Sequence, residues 1–206
     1  MHNNYHFFKK LLPYLQTKII GGVLEACYTQ NKDELIIGFD IDKHDFYIKA
    51  LLSPSFSCLS FPQYHSRAKK NSVDIFPEII GKKIIDIALT PWDRSFSIKL
   101  DSGNELFFKM HGNQSNIIHL KENKPHNLFK SNLSNDKNLD TQSLIKNIPT
   151  DKERFISLHG HPKKFLPTLG KWPIKYLDEI NYGSKSLEEQ WTLLNNLLEE
   201  MENNTF

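Results

Sequence analysis

Residues 84–120, IIDIALTPWDRSFSIKLDSGNELFFKMHGNQSNIIHL, limit the fold more than any other part of the chain. Apolar and polar residues alternate through successive segments, and a further apolar run follows. A period of two places the apolar side chains on one face of a pleated strand. The breaks are short and rich in Asp, Ser, Gly and Asn, which turn a chain back on itself. Repeated hairpins of this kind predict an antiparallel sandwich or flattened barrel. At the first break, Asp93-Arg94 directly follows Trp92. A hairpin corner does not require that combination. Asp supplies an acceptor, Arg a forked donor and Trp a stacking face, which suits a nucleic-acid backbone or a ribose. The plainer reading is an exposed corner whose charges pair with each other or with solvent, contributing only about 0–1 kcal/mol.

Strand patterns also precede this stretch. Residues 23–30, 34–39, 46–52 and 57–61 read as strands, with turns at 31–33 and 42–44. A first helix is predicted from Asn3 or Asn4 as its cap. Its apolar stripe is Phe8, Leu11, Leu12, Leu15 and Ile19, and Gly21-Gly22 ends it. Pro13 falls inside that stripe and should kink or split the helix. Residues 74–80 suggest a short helix stopped by Gly81. From residue 121 the composition turns polar. The organisation expected is a β-rich lobe over 1–130, a polar linker or excursion over 131–154, and a helical region over 155–206. Within the last, 162–180 reads as two short helices about Gly170. Leu187, Trp191, Leu194, Leu198 and Met201 then form a heptad seam. It covers about two heptads, short of the three to four that define a coiled coil. It suits an amphipathic helix docked on its own domain equally well.

With 39% hydrophobic residues and fourteen Phe, the chain can bury a substantial core. It contains no apolar run long enough to cross a bilayer. The N-terminus lacks a secretory pattern. Cys27 and Cys58 cannot supply a disulfide framework or a four-Cys zinc site. The expectation is a cytoplasmic protein with no membrane partner. Of the 24 acidic residues, five lie in the tail after Ser186, where there is no Lys or Arg. The body is therefore mildly basic, which permits a polyanionic partner without demanding one.

Several of these residues together resemble the N-terminal domain of the NFACT family (bacterial FbpA/RqcH, eukaryotic NEMF). They are Gly21-Gly22-Val23-Leu24, Tyr28, residues 30–35 (QNKDEL), Ser53-Pro54-Ser55-Phe56, Asp93-Arg94, and Gly112 to Asn116 followed by Ile117-Ile118. The resemblance is strong over 5–130 and weaker over 160–206. It implies an α+β fold: an antiparallel β-sandwich or barrel lobe similar to the N-terminal domain of formamidopyrimidine-DNA glycosylase, followed by a helix-two-turns-helix-like region. It further implies an RNA-binding module that contacts tRNA and the large ribosomal subunit carrying peptidyl-tRNA, in the rescue of stalled ribosomes. Complete members support template-free peptide tailing. The chain ends where their coiled coil would begin, so it reads as a fragment or a short member. Two departures stand out. Asn4-Tyr5 replaces the family's Asp-Gly pair, and Asn113 replaces a basic residue.

On this reading the nucleic-acid-binding candidates are Asp93, Arg94, Asn113, Ser115, Asn116, Arg67, Lys69, Lys70, Lys163 and Lys164. Arg94 is expected to grip phosphate and Asp93 to accept from a ribose hydroxyl or base amine. The 112–116 turn could offer backbone N–H groups to phosphate, or simply end a strand. The basic runs steer a polyanion or are merely solvated. Trp92 is part of the core or a stacking platform. No catalytic residue, cofactor, metal or small-molecule substrate is expected. His159 and His161 lack a suitably spaced third ligand. A DNA glycosylase on this fold needs an N-terminal amine, usually Pro, beside a Glu acid, and His2 and Asn3 stand there instead. The remaining alternative is a fibronectin-binding surface protein, since some bacterial members of the family carry that name.

Overall fold

The computed structural model describes residues 4–203, so His2 and Asn3 lie outside it. Helix α1 (Tyr5–Ile19) begins at Asn4, whose Oδ1 accepts from the backbone N–H of His6 at 2.8 Å. This satisfies one of the donors that a helix start leaves open. Pro13 does not divide the helix, which runs through it unbroken. Pro13 and Lys9 are both exposed, so the carbonyl that loses its partner at Lys9 can be hydrated.

Ten strands follow in two antiparallel sheets. Strands β1 (Val23–Thr29), β2 (Glu34–Ile41), β3 (His44–Leu52), β4 (Ser57–Ser60) and β5 (Val73–Asp74) form the first, in the order β4-β3-β2-β1-β5. Strands β6 (Ile84–Leu89), β7 (Ser95–Leu100), β8 (Asn104–Lys109), β9 (Asn116–Lys121) and β10 (Lys124–Leu128) form the second, in the order β10-β9-β8-β7-β6. Two hairpins close through two-residue turns with both φ angles positive, Asp42-Lys43 and Glu122-Asn123. That geometry matches the twist of the strands it joins. A bridge from Val23 to Lys83 ties the two sheets along one margin. Gly22 stands at this seam, where a Cβ would lie 2.7 Å from the Asp40 carbonyl oxygen.

The α1 stripe enters one core with Leu35, Ile37, Phe39 and Ile48 of the first sheet and Phe96, Ile98, Phe108 and Ile117 of the second. Phe96 and Phe108 stack with centroids 4.5 Å apart. The architecture is thus the expected α+β arrangement of an antiparallel sandwich with added helices.

Residues 74–80 do not form the expected helix. They hold the end of β5 and a single 3-10 turn, Pro77–Ile79. Pro77 disfavours helical backbone at the residue before it, and Phe76 takes φ 53. Residues 131–154 are an ordered excursion. Leu139 and Leu144 pack with Leu128 over Phe107, Ile118 and Leu120, covering the outer face of the second sheet. Helices α2 (Lys152–Ser157), α3 (Pro162–Phe165), α4 (Lys171–Glu179) and α5 (Leu187–Asn203) follow. The short helices turn about Gly170 at φ 83, as expected. The heptad seam of α5 faces its own domain: Leu194 is fully buried and Trp191 lies 5.1 Å from the Phe155 ring. Among the described residues, no helix is long and apolar enough to cross a membrane. Both cysteines are free.

Candidate nucleic-acid interface

The corner between β6 and β7 joins the sandwich to the helical region. Trp92, at φ 54, packs among the side chains of the helical core and stacks on Tyr5 with centroids 5.1 Å apart. It is therefore a joint, and its ring already has a stacking partner. The next two residues point opposite ways. Asp93 turns inward and is 5% exposed, whereas Arg94 is exposed.

Asp93 fixes the corner. Its Oδ1 accepts from Ser95 Oγ at 2.6 Å and contacts His111 Nε2 at 2.7 Å, and its Oδ2 accepts from Lys146 Nζ at 3.3 Å. Burial would raise its pKa, but the hydrogen bonds from His111 and Ser95 and the nearby positive charge hold it well below the usual carboxylate range. Its N–H donates to the Thr90 carbonyl at 3.1 Å, and Lys146 N–H donates to the Pro91 carbonyl at 3.2 Å. Asp93 is thus an anchor whose oxygens are engaged within the protein, and it does not present the open acceptor expected of it. The Arg94 carbonyl accepts from Met110 N at 3.0 Å, while its guanidinium has no hydrogen bond or ion pair among the described residues.

The 112–116 motif also divides. Asn113 is exposed on the 3-10 turn Gly112–Gln114. Ser115 and Asn116 are fully buried, which removes them from any surface contact. Ser115 Oγ meets Ser57 Oγ at 3.2 Å. Asn116 donates to the Lys130 carbonyl and to Asp136 Oδ2, and its Oδ1 accepts from the Ile117 and Lys130 backbone N–H groups. All its hydrogen-bonding capacity is spent tying β9 to the excursion. Asp136, also buried, pairs with Lys109.

The basic segment separates similarly. Arg67 bonds Asp74 and Ser72 at 2.7 Å each and lies 4.6 Å from the Tyr28 ring centroid. It holds its own loop against the first sheet, and Lys69 and Lys70 are exposed beside it. Lys163 and Lys164 are exposed on α3, which sends Phe165 into the core that receives Trp92. The structure thus gathers Arg94, Asn113, His111 and Lys146 at one corner. Lys69 and Lys70 lie instead in the loop between β4 and β5. His111 and Lys146 escaped sequence reasoning. His111 borders the glycine motif, but nothing local marks Lys146, which lies 53 residues from Asp93.

His159 and His161 are exposed and, among the described residues, belong to no convergent group of potential metal ligands. Among the described residues the group that does converge is Glu78, His119 and His126.

No family model and no curated protein sequence matches this chain. Solved structures do. The fibrinogen binding protein from Staphylococcus aureus is similar with a TM-score of 0.68 at 17% identity, over 98% of this chain and 83% of that one. The N-terminal domain of the fibronectin-binding protein PavA from Streptococcus pneumoniae gives 0.66 at 14%, over 95% and 84%. The N-terminal part of the fibronectin/fibrinogen-binding protein from Streptococcus suis gives 0.62 at 14%, over 94% and 79%. At such identities the likeness is one of architecture: this chain has the α+β fold of these fibronectin- and fibrinogen-binding protein N-terminal domains.

Proposed function

We propose that this protein is an RNA-binding module that contacts tRNA and the large ribosomal subunit during rescue of stalled ribosomes, and that it performs no bond chemistry itself. The observation that carries this reading is the Arg94 guanidinium. It stands free on a corner whose backbone is fixed by the buried Asp93 and by Trp92. An arginine held on a rigid corner loses little further backbone freedom when it takes a phosphate in its two-pronged grip. Asn113 and the Lys146 ammonium add donors beside it, and Lys163 and Lys164 add charge from the helical region. The NFACT-like motifs point the same way.

The test is tRNA binding across a salt series. Arg94→Ala should weaken binding and reduce the slope of log K against log salt by about 0.7–0.9, one phosphate contact, without lowering the melting temperature. Equal affinity of variant and parent dismisses the role. Recovery of large-subunit particles with tRNA, on capture of the intact protein from cells with stalled ribosomes, tests the wider assignment. The names of the three structural neighbours favour a second reading, fibronectin or fibrinogen binding. Saturable capture of fibronectin by the purified protein, undiminished in Arg94→Ala and without tRNA binding, would select it.

A further inference from the structure

We propose that Glu78, His119 and His126 form a binding site for a divalent transition-metal ion of the zinc class, which clips the crossover between the two sheets. The site's buried member lies on β9, two strands from the β7 that carries the Arg94 corner. His119, on β9, is fully buried. Glu78 belongs to the 3-10 turn on the chain that passes from β5 to β6. His126 sits in β10 at a register shift, where Pro125 pairs with Leu120 and Asn127 with His119, leaving His126 as the extra residue. Bulges of this kind re-aim a side chain, and here the His126 ring meets the His119 ring edge-on at 5.2 Å.

The hydrogen bonds fix which ring atom faces the site. Asn104 Nδ2 donates to the carbonyls of Asp101 and Ser102, so Asn104 Oδ1 faces His119 Nε2 at 2.9 Å as an acceptor. His119 Nε2 therefore carries a hydrogen, and in the neutral ring Nδ1 is a lone pair. That lone pair is directed at Glu78 Oε1, 2.9 Å away. Two acceptors at this distance require a positive centre between them. A proton satisfies that pair alone, whereas a metal ion would also engage the second imidazole at the same oxygen, His126 Nε2 at 3.9 Å. The three ligand atoms lie within 4.8 Å of one another. Asn127 Nδ2 also donates to Glu78 Oε1 at 2.5 Å, and with Asn104 it supplies the outer hydrogen bonds that orient metal ligands.

Two imidazoles and a carboxylate suit zinc with a fourth position left to water. Bonds of about 2.0–2.2 Å would need His126 and Glu78 to close inward slightly, and both are partly exposed. His119 is the rigid member.

Zinc chloride titrated into the intact chain, followed by calorimetry, tests the site. One ion per chain is expected, with affinity falling about tenfold or more in His126→Ala and in Glu78→Gln. His161→Ala is the control and should bind as the parent does. Cobalt in place of zinc should give a visible absorption band that His126→Ala abolishes. His126 is exposed, so its removal leaves the folded core intact, which circular dichroism checks. Absence of saturable uptake, or equal uptake by the parent and His126→Ala, overturns the proposal.

Discussion

Acidification from pH 7 to pH 5 should destabilise this fold through His6. The imidazole is 5% exposed, and neither ring nitrogen has a hydrogen-bond partner among the described residues. Its ring meets Tyr5 and Trp92 edge-on. Burial, aided by the charge of Lys9 and opposed by that of Glu202, pushes its pKa down from 6.5 to about 4. Between those values the unfolded chain holds a proton that the folded chain does not. Stability therefore rises with pH across the window, is complete above the unfolded value, and is lost as pH falls toward 4. The full shift corresponds to about 3 kcal/mol, of which about 2 kcal/mol falls between pH 7 and pH 5. That is a large share of the margin of a typical domain. Urea unfolding of the parent and of His6→Phe at both pH values isolates the effect. Phe keeps an aromatic ring and cannot take a proton. The parent should lose about 2 kcal/mol more than the variant on acidification. Parallel losses would refute the reasoning, whatever the variant's stability at pH 7.

Four further outcomes follow from buried contacts and charge. Asp136→Ala leaves Lys109 charged and unpaired in the interior, so it should cost roughly 3–5 kcal/mol in chemical denaturation. Gly22→Ala drives a methyl against the Asp40 carbonyl at the seam. It should cost on the order of 1–3 kcal/mol, read as a lower melting temperature. Arg67→Ala should leave tRNA affinity nearly unchanged, because its guanidinium is held by Asp74 and Ser72. Lys69→Ala with Lys70→Ala should lower the salt slope by about 1.4–1.8 if both meet phosphate, a loss that filter binding would detect.

The alternation in 84–120 was enough to read four strands of the second sheet, because a half-buried strand must alternate. The α1 stripe was legible for a similar reason: Phe8, Leu11, Leu12, Leu15 and Ile19 all reach the core. What escaped was determined by distant partners. β10 carries Lys124, His126 and Asn127 and has no apolar alternation, because it is an edge strand whose pairing with β9 defines it. Ser115 and Asn116 looked like surface turn residues, since polarity alone cannot distinguish a hydrated amide from one whose hydrogen bonds are all met inside. The Asp93-Arg94 pair was legible as a distinctive corner, but not the division of labour within it. That depends on His111 and on Lys146 arriving from the excursion. The helix expected over 74–80 failed at Pro77, which disfavours helical backbone at Phe76 before it.

The first helix also bears on how the protein is made. Asn4 reaches the Leu169 carbonyl, Gln16 the Ile87 carbonyl, and Lys9 bonds Glu202. This segment is thus held by residues translated much later, up to 193 positions downstream. At about 5–20 residues per second, roughly 10–40 s of elongation separates the emergence of its apolar stripe from that of its last contact. Until Ile117 of the same core has emerged, Phe8, Leu12 and Leu15 have no finished core to enter. The nascent chain therefore depends on the exit tunnel, on a holding chaperone or on speed of synthesis to keep them from other surfaces, and slowed translation should lower the yield of folded protein.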